Sequence, residues 1–173
     1  DICENLDAKR VPITKGKRVP GKVPYYGASG IVDYVECYIF NENLLLVSED
    51  GANLLARTYP IAFSISGKTW VNNHAHVLRF KDECTRWFIE YYLNSISLSK
   101  FVSGMAQPKL NQKMLLSIPV SLPPLAEQKR IVAKLDAIFS ELAVANEAIE
   151  QSKLNYQVMK SAILAQELQS EAA

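Results

Sequence analysis

Two histidines, His74 and His76, stand two positions apart in "TWVNNHAHVLRF", and strand alternation sets both on one face. Such a pair can give zinc two ligands. The metal asks for at least a third, from Cys84 or Asp82, and the spacing matches no standard zinc site. "EQK", Glu127 to Lys129, echoes the last half of a nuclease carboxylate–lysine motif, but it falls where a helix should start. "LPPL", Leu122 to Leu125, lacks the Asn or Asp before the prolines and the aromatic after them that an adenine methyltransferase uses to hold its target base. Gly-x-Ser-x-Gly, a P-loop and a dinucleotide glycine fingerprint are all missing. The residues assign no reaction, no metal and no cofactor.

Binding chemistry is better represented. Arg57, Lys68, Arg79, Lys109 and Lys113 are scattered among strand ends and loops, interleaved with Asn53, Asn72, Asn73, His74, Gln107, Asn111 and Gln112. Asn and Gln pair bidentately with adenine and Arg or Lys with guanine, while Lys and Ser also hold phosphates. Tyr25, Tyr26 and Trp70 add flat amphipathic surface. Each has a plainer reading: the tyrosines as half-buried strand residues, and Asn72-Asn73 as a satisfied turn. The formal net charge of +1 conceals an uneven distribution. The stretch "AKRVPITKGKRVPGKVP", from Ala8 to Pro24, carries Lys9, Arg10, Lys15, Lys17, Arg18 and Lys22 and no acid. From Leu125 onward, seven acids face five bases. A basic arm, amide-rich loops and a catalytically empty body together fit a DNA-reading surface.

The elements that must carry these residues fall into two regimes. Up to about Leu122 the chain is strand-rich and dense in turns, and "LLLV" before the Asp50-Gly51 turn reads as a core strand. "YPIAFSIS" reads as another strand. "TWVNNHAHVLRF" reads as one continuous strand, with Trp70, Asn72, His74 and His76 on one face. "DECTRWFIEYYLNSI" suits a short helix capped by Asp82 or Thr85. Ser103-Gly104 opens a loop, and "SIPVSLPP" reads as a short strand ending on prolines. Beyond Pro123-Pro124 no glycine or proline occurs, and apolar residues recur in heptads. Leu135, Leu142, Ile149, Tyr156 and Ile163 share one seam position; Ile131, Ile138, Ala145 and Met159 share the other, interrupted by Ser152 and Gln166. One helix of this length spans roughly 65–70 Å at ~1.5 Å per residue, so it should protrude and pair with another helix. The alternative is a hairpin bent near Asn146 or Asn155. The expected fold class is α+β: a small, mixed, strand-rich globular domain over residues 1–122, then a long protruding coiled-coil helix over residues 123–173.

Cys3, Cys37 and Cys84 are odd in number and widely spaced, which fits free thiols in a reducing cytoplasm. No run of eighteen apolar residues and no signal-peptide pattern is present, so neither a membrane partner nor export is expected. With 173 residues, 49% of them hydrophobic, the chain can bury a real core.

Five blocks in order, "YYGASGIVDYV", "SEDGANL", "SGKTWVNNHAHVL", "GMAQPKLNQ" and "IPVSLPPLAEQKRIVAKLDAI", resemble the specificity subunits of type I restriction–modification systems from about Asp1 to at least Leu142. The resemblance implies a target-recognition domain that reads half of a split site in double-stranded DNA. It also implies a spacer helix, no catalysis by the subunit itself, and recruitment of modification (methyltransferase) subunits and, through them, the restriction subunit. Such subunits normally carry two recognition domains and two antiparallel helices. One of each is found here, so the chain is expected to be a fragment or a half-length subunit that meets a second half, or its own copy, through the helix.

On this reading the DNA-binding residues are Lys15, Lys17, Arg18, Lys22, Tyr25, Tyr26, Ser29, Arg57, Lys68, Trp70, Asn72, Asn73, His74, Gln107 and Lys109. The arm approaches phosphates, and the Gly27–Gly30 loop lets backbone come close to the duplex. Tyr25 and Tyr26 anchor that loop, one ring inward and one outward.

Overall fold

The computed structural model describes residues 2–104 and 106–170. In chain order its strands are β1 (Cys3–Asn5), β2 (Pro20–Gly27), β3 (Gly30–Val35), β4 (Phe40–Asn41), β5 (Leu44–Ser48), β6 (Ala62–Ile65), β7 (Lys68–Val71) and β8 (Ala75–Phe80). Its helices are α1 (Asn53–Ala56), α2 (Glu83–Ser95), α3 (Gln112–Leu116) and α4 (Leu125–Ser170). The chain divides into two compact units, Asp1–Lys129 and Arg130–Ala173.

The first unit, the head, holds two four-stranded sheets. One has the order β1-β8-β5-β6 and is antiparallel throughout; the other has the order β3-β2-β7-β4, with β2 and β7 parallel. Leu44 to Val47 in β5 are all 0% exposed, because this central strand is covered on both faces. Leu45 and Val47 join a core shared with Ile89 and Leu93 of α2 and Leu115 of α3. Leu44 and Leu46 face the other way, into a second core with Phe40 of β4 and Val71 of β7. A run of four apolar residues is what two opposed cores demand of one strand.

Helix α2 begins as expected: Asp82 caps it by accepting from the Thr85 amide at 2.8 Å. Two expectations fail. The segment 68–80 is not one strand but two, broken by a turn at residues 72–74, because the Asn72 side chain accepts from the His74 amide at 2.8 Å and folds the backbone on itself. "SIPVSLPP" forms no strand. Prolines 119, 123 and 124 donate no ladder hydrogen bonds, and Ser117 caps the C-terminus of the short helix α3, whose N-cap is Asn111.

Helix α4, which begins at Leu125 and supplies the second unit, is one uninterrupted helix of 46 residues rather than a hairpin. At ~1.5 Å per residue it is about 70 Å long. Ile131 and Leu135 are half-buried, while Ile138, Leu142, Ile149, Tyr156, Met159 and Ile163 are exposed. Among the described residues no helix is long and apolar enough to cross a membrane.

Candidate nucleic-acid interface

The strand directions gather loops at one end of the head. Parallel β2 and β7 both finish there, at Gly27 and Val71; β5 finishes there at Ser48, opposite the start of β8 at Ala75. The turn after β2 (28–29), the 49–60 crossover after β5 and the 72–74 turn after β7 are therefore neighbours. A fourth segment, 103–109, is stitched to them: Lys109 bridges to Asp50 and Ser103, and Gly51 donates its amide to the Pro108 carbonyl at 3.0 Å.

Local chemistry shapes each loop. Gly30 adopts φ +115°, which closes the β2–β3 hairpin. Gly27 is closely surrounded, since a Cβ there would meet the Val32 side chain at 3.1 Å and that of Asn72 at 3.4 Å. Its smallness serves internal packing. In the crossover, buried Asn53 accepts from the Thr58 and Tyr59 amides and donates to the Tyr59 carbonyl. That presents Tyr59, 46% exposed, with its hydroxyl 3.0 Å from Ser29 Oγ. His74 Nδ1 lies 2.8 Å from Asp50 Oδ2. Ser29, Asn73, His74, Gln107 and Lys109 are all exposed at this end.

The remaining expected DNA contacts divide sharply. Tyr25 is 1% exposed; its hydroxyl accepts from the Ile13 amide at 2.9 Å and its ring lies under Arg18, 4.4 Å away. Trp70 donates its indole N–H to the Val11 carbonyl at 2.7 Å, and Arg18 pairs with Asp33 at 2.9 Å. This pair holds the Asp33 carboxyl below its usual range. These three residues pin the basic arm to the sheet, and buried Tyr25 offers no surface to a duplex. Half-buried Tyr26 packs against the second core beside Phe63, ring centroids 6.1 Å apart.

Asn72 and Arg57 are corrections of the same kind. Asn72 is 6% exposed and committed to its turn. Arg57, in the left-handed region at φ 56°, donates to the carbonyls of Leu93 and Ile96 and ties the crossover to the end of α2. Asn111 likewise caps α3, accepting from the Met114 amide at 3.0 Å. Lys68 opens β7, four positions before the 72–74 turn, its amine 4.9 Å from the Tyr38 ring centroid. Lys15, Lys17 and Lys22 remain exposed along the arm.

Sequence reasoning missed Asp7, Glu49, Asp50 and Tyr59. The available signal was "SED", acids directly after a core strand in an acid-poor region. Asp7, Glu49 and His76 bring ligand atoms within 4.8 Å of one another. Arg10 and Lys109 already pair with Glu49 at 2.6 and 3.1 Å, and His76 with Asp7 at 2.6 Å. Two cations in contact with the acids make this a closed ionic cluster, ill suited to a divalent ion.

Comparison with known proteins places this geometry. Residues 1–154 match the family model "Type I restriction modification DNA specificity domain". The chain is 37% identical over 138 residues to a putative type I restriction enzyme specificity subunit of Haemophilus influenzae, covering 80% of this chain and 35% of that protein. It is 28% identical over 158 residues to the type I restriction enzyme MpnII specificity subunit of Mycoplasma pneumoniae, covering 87% and 44%. Among solved structures, a chain of a type I R-M system superposes with a TM-score of 0.70 at 21% identity, over 94% of this chain and 42% of that one. The S subunit from M. genitalium gives a TM-score of 0.59 at 17% identity, over 80% and 38%. The chain thus spans about a third to under half of the length of these relatives.

Proposed function

Since this chain belongs to the family of type I restriction modification DNA specificity domains, we propose that its head reads one half of a bipartite site in double-stranded DNA. The observation that carries the reading is the convergence of four loops at one end, bringing exposed Ser29, Tyr59, Asn73, His74, Gln107 and Lys109 together. Amide, imidazole and hydroxyl groups are what base edges demand, and an exposed aromatic adds a stacking or methyl-contact surface. Lys15, Lys17 and Lys22 contact phosphates and orient the head, while Tyr25, Trp70 and Arg18 hold the arm that carries them.

Helix α4 is the spacer. Its exposed seam of Leu142, Ile149, Tyr156, Met159 and Ile163 pairs with a second helix, from another half-subunit or another copy, and so sets the distance between half-sites. The subunit does no chemistry and recruits modification subunits that do, with the restriction subunit joining through them.

The test is reconstitution with a modification subunit followed by mapping of methylated positions on DNA. Methylation at a defined site is expected from the complex and from neither part alone. Modification that ignores exchange of residues 1–122 for another recognition domain would overturn the reading.

A further inference from the structure

His76 sits in β8 at 1% exposure, with acceptors at both ring nitrogens. Nε2 lies 2.7 Å from the Leu110 carbonyl, which can only accept. Nδ1 lies 2.6 Å from Asp7 Oδ2. Burial pushes the Asp7 carboxyl up, but hydrogen bonds from His76 and from the Val77 amide outweigh it and leave Asp7 below its usual range. Both ring nitrogens of His76 are thus held, one by Asp7 and the other by the Leu110 carbonyl. The other charges facing this ring are Glu49, whose Oε2 is 3.8 Å from Nδ1, and Arg10 and Lys109, which pair with Glu49.

The partners of the cluster belong to the loops themselves. Glu49 donates its amide to the His74 carbonyl at 2.9 Å and accepts from the Leu110 amide at 2.8 Å. Arg10 Nη1 spans Glu49 and the Ala75 carbonyl at 2.6 and 2.8 Å. Lys109 and Ser103 exchange backbone hydrogen bonds at 2.7 and 2.9 Å. One buried ring therefore joins the end of the loop bearing Gln107 and Lys109 to the strand that follows Asn73 and His74.

Resting on the DNA reading above, we propose that the His76–Asp7–Glu49 cluster is the positioning device of the interface: it sets the 103–109 loop against the 72–74 turn, so His76 governs sequence discrimination without touching DNA. A base contact made by side chains from two loops depends on their separation to a fraction of an ångström, and a buried ring hydrogen-bonded at both nitrogens fixes that separation.

The experiment selects a randomised duplex library with the full chain in its reconstituted complex, at one salt concentration, and sequences the bound pool. Thermal unfolding of the same preparations is recorded. His76→Gln donates at one end only, and its amide oxygen cannot serve the other. It is expected to remove preference at one or two positions of the half-site and to lower the specific-over-bulk ratio about tenfold, the weight of one base contact. The lysine contacts, and so the salt dependence, should stay as in wild type. If His76→Gln fails to fold, Asp7→Asn takes its place. An asparagine can accept from the Val77 amide and still hydrogen-bond His76 Nδ1, keeping the hydrogen bonds without the carboxylate charge, and the motif is expected to stay largely the wild-type one. A folded His76→Gln that enriches the wild-type motif at the wild-type ratio overturns the positioning role, as does a folded Asp7→Asn that loses the motif when its hydrogen bonds are intact. A wild-type complex that enriches no motif at all defeats the DNA reading instead.

Discussion

Leu44, Leu45, Leu46 and Val47 of β5 are each 0% exposed, whereas Leu142, Ile149 and Tyr156 of α4 are 51%, 51% and 60% exposed. The two regions use the same kind of side chain in opposite states. The head closes its apolar surface internally, between two sheets and beneath α2 and α3, and turns polar groups outward at its loop end. The helix closes nothing within itself. Burying a Leu or Ile side chain is worth ~1.5–3 kcal/mol, stabilisation that the exposed seam leaves unrealised and that the proposed pairing would supply. The difference teaches how the proposed roles divide: recognition falls to a head whose core is complete, and assembly to a helix whose apolar seam is exposed.

The sharpest way to break the comparison is Leu142→Asp. A charge placed in an apolar seam costs several kcal/mol on association, so sedimentation should show loss of the paired species while the head's unfolding midpoint moves little. Unchanged mass and helicity would mean the seam is not an interface. Next in size, Leu46→Ala removes a side chain locked between the two sheets. It should cost the head about 3 kcal/mol by denaturant titration and leave helix-mediated association intact. The buried ionic cluster sharpens the comparison through pH. For Glu49, burial raises the carboxyl but hydrogen bonds from Arg10 and Lys109 outweigh it, and Asp7 is lowered likewise. Folded values below the unfolded ones give stability that is complete above about pH 5 and lost as the pH falls below about 4. The head's unfolding midpoint should drop in that window, with no such step in helix pairing. Smallest is Lys17→Ala, expected to weaken binding to every DNA sequence alike and to reduce the salt slope by about 1. A loss confined to one sequence would move Lys17 from the phosphates to the bases.

Much of the positioning could not be read in advance. Asn72 and Asn73 are adjacent and identical in type, yet one is buried in its own turn and the other is exposed. Alternation over "TWVNNHAHV" could not separate them, because a side chain that hydrogen-bonds its neighbour's amide overrides strand propensity. Tyr25 reads as a flat binding surface until the returning arm is seen to cover it. Arg57 reads as a surface cation until the end of α2 supplies two carbonyls for it.

What the amino-acid order determined alone is whatever depends on near neighbours. The doubly buried strand β5, the Asp82 cap and the uninterrupted helix after Pro123-Pro124 arise from periodicity, capping and the absence of breakers, all set within a few residues. Tertiary structure alone decided which polar groups face out. Asp7 and His76 are 69 positions apart and Lys109 and Glu49 are 60 apart, and no local rule links them. Burial makes such charges costly unless paired, so the sheets that bring them together also select which side chains remain for a partner.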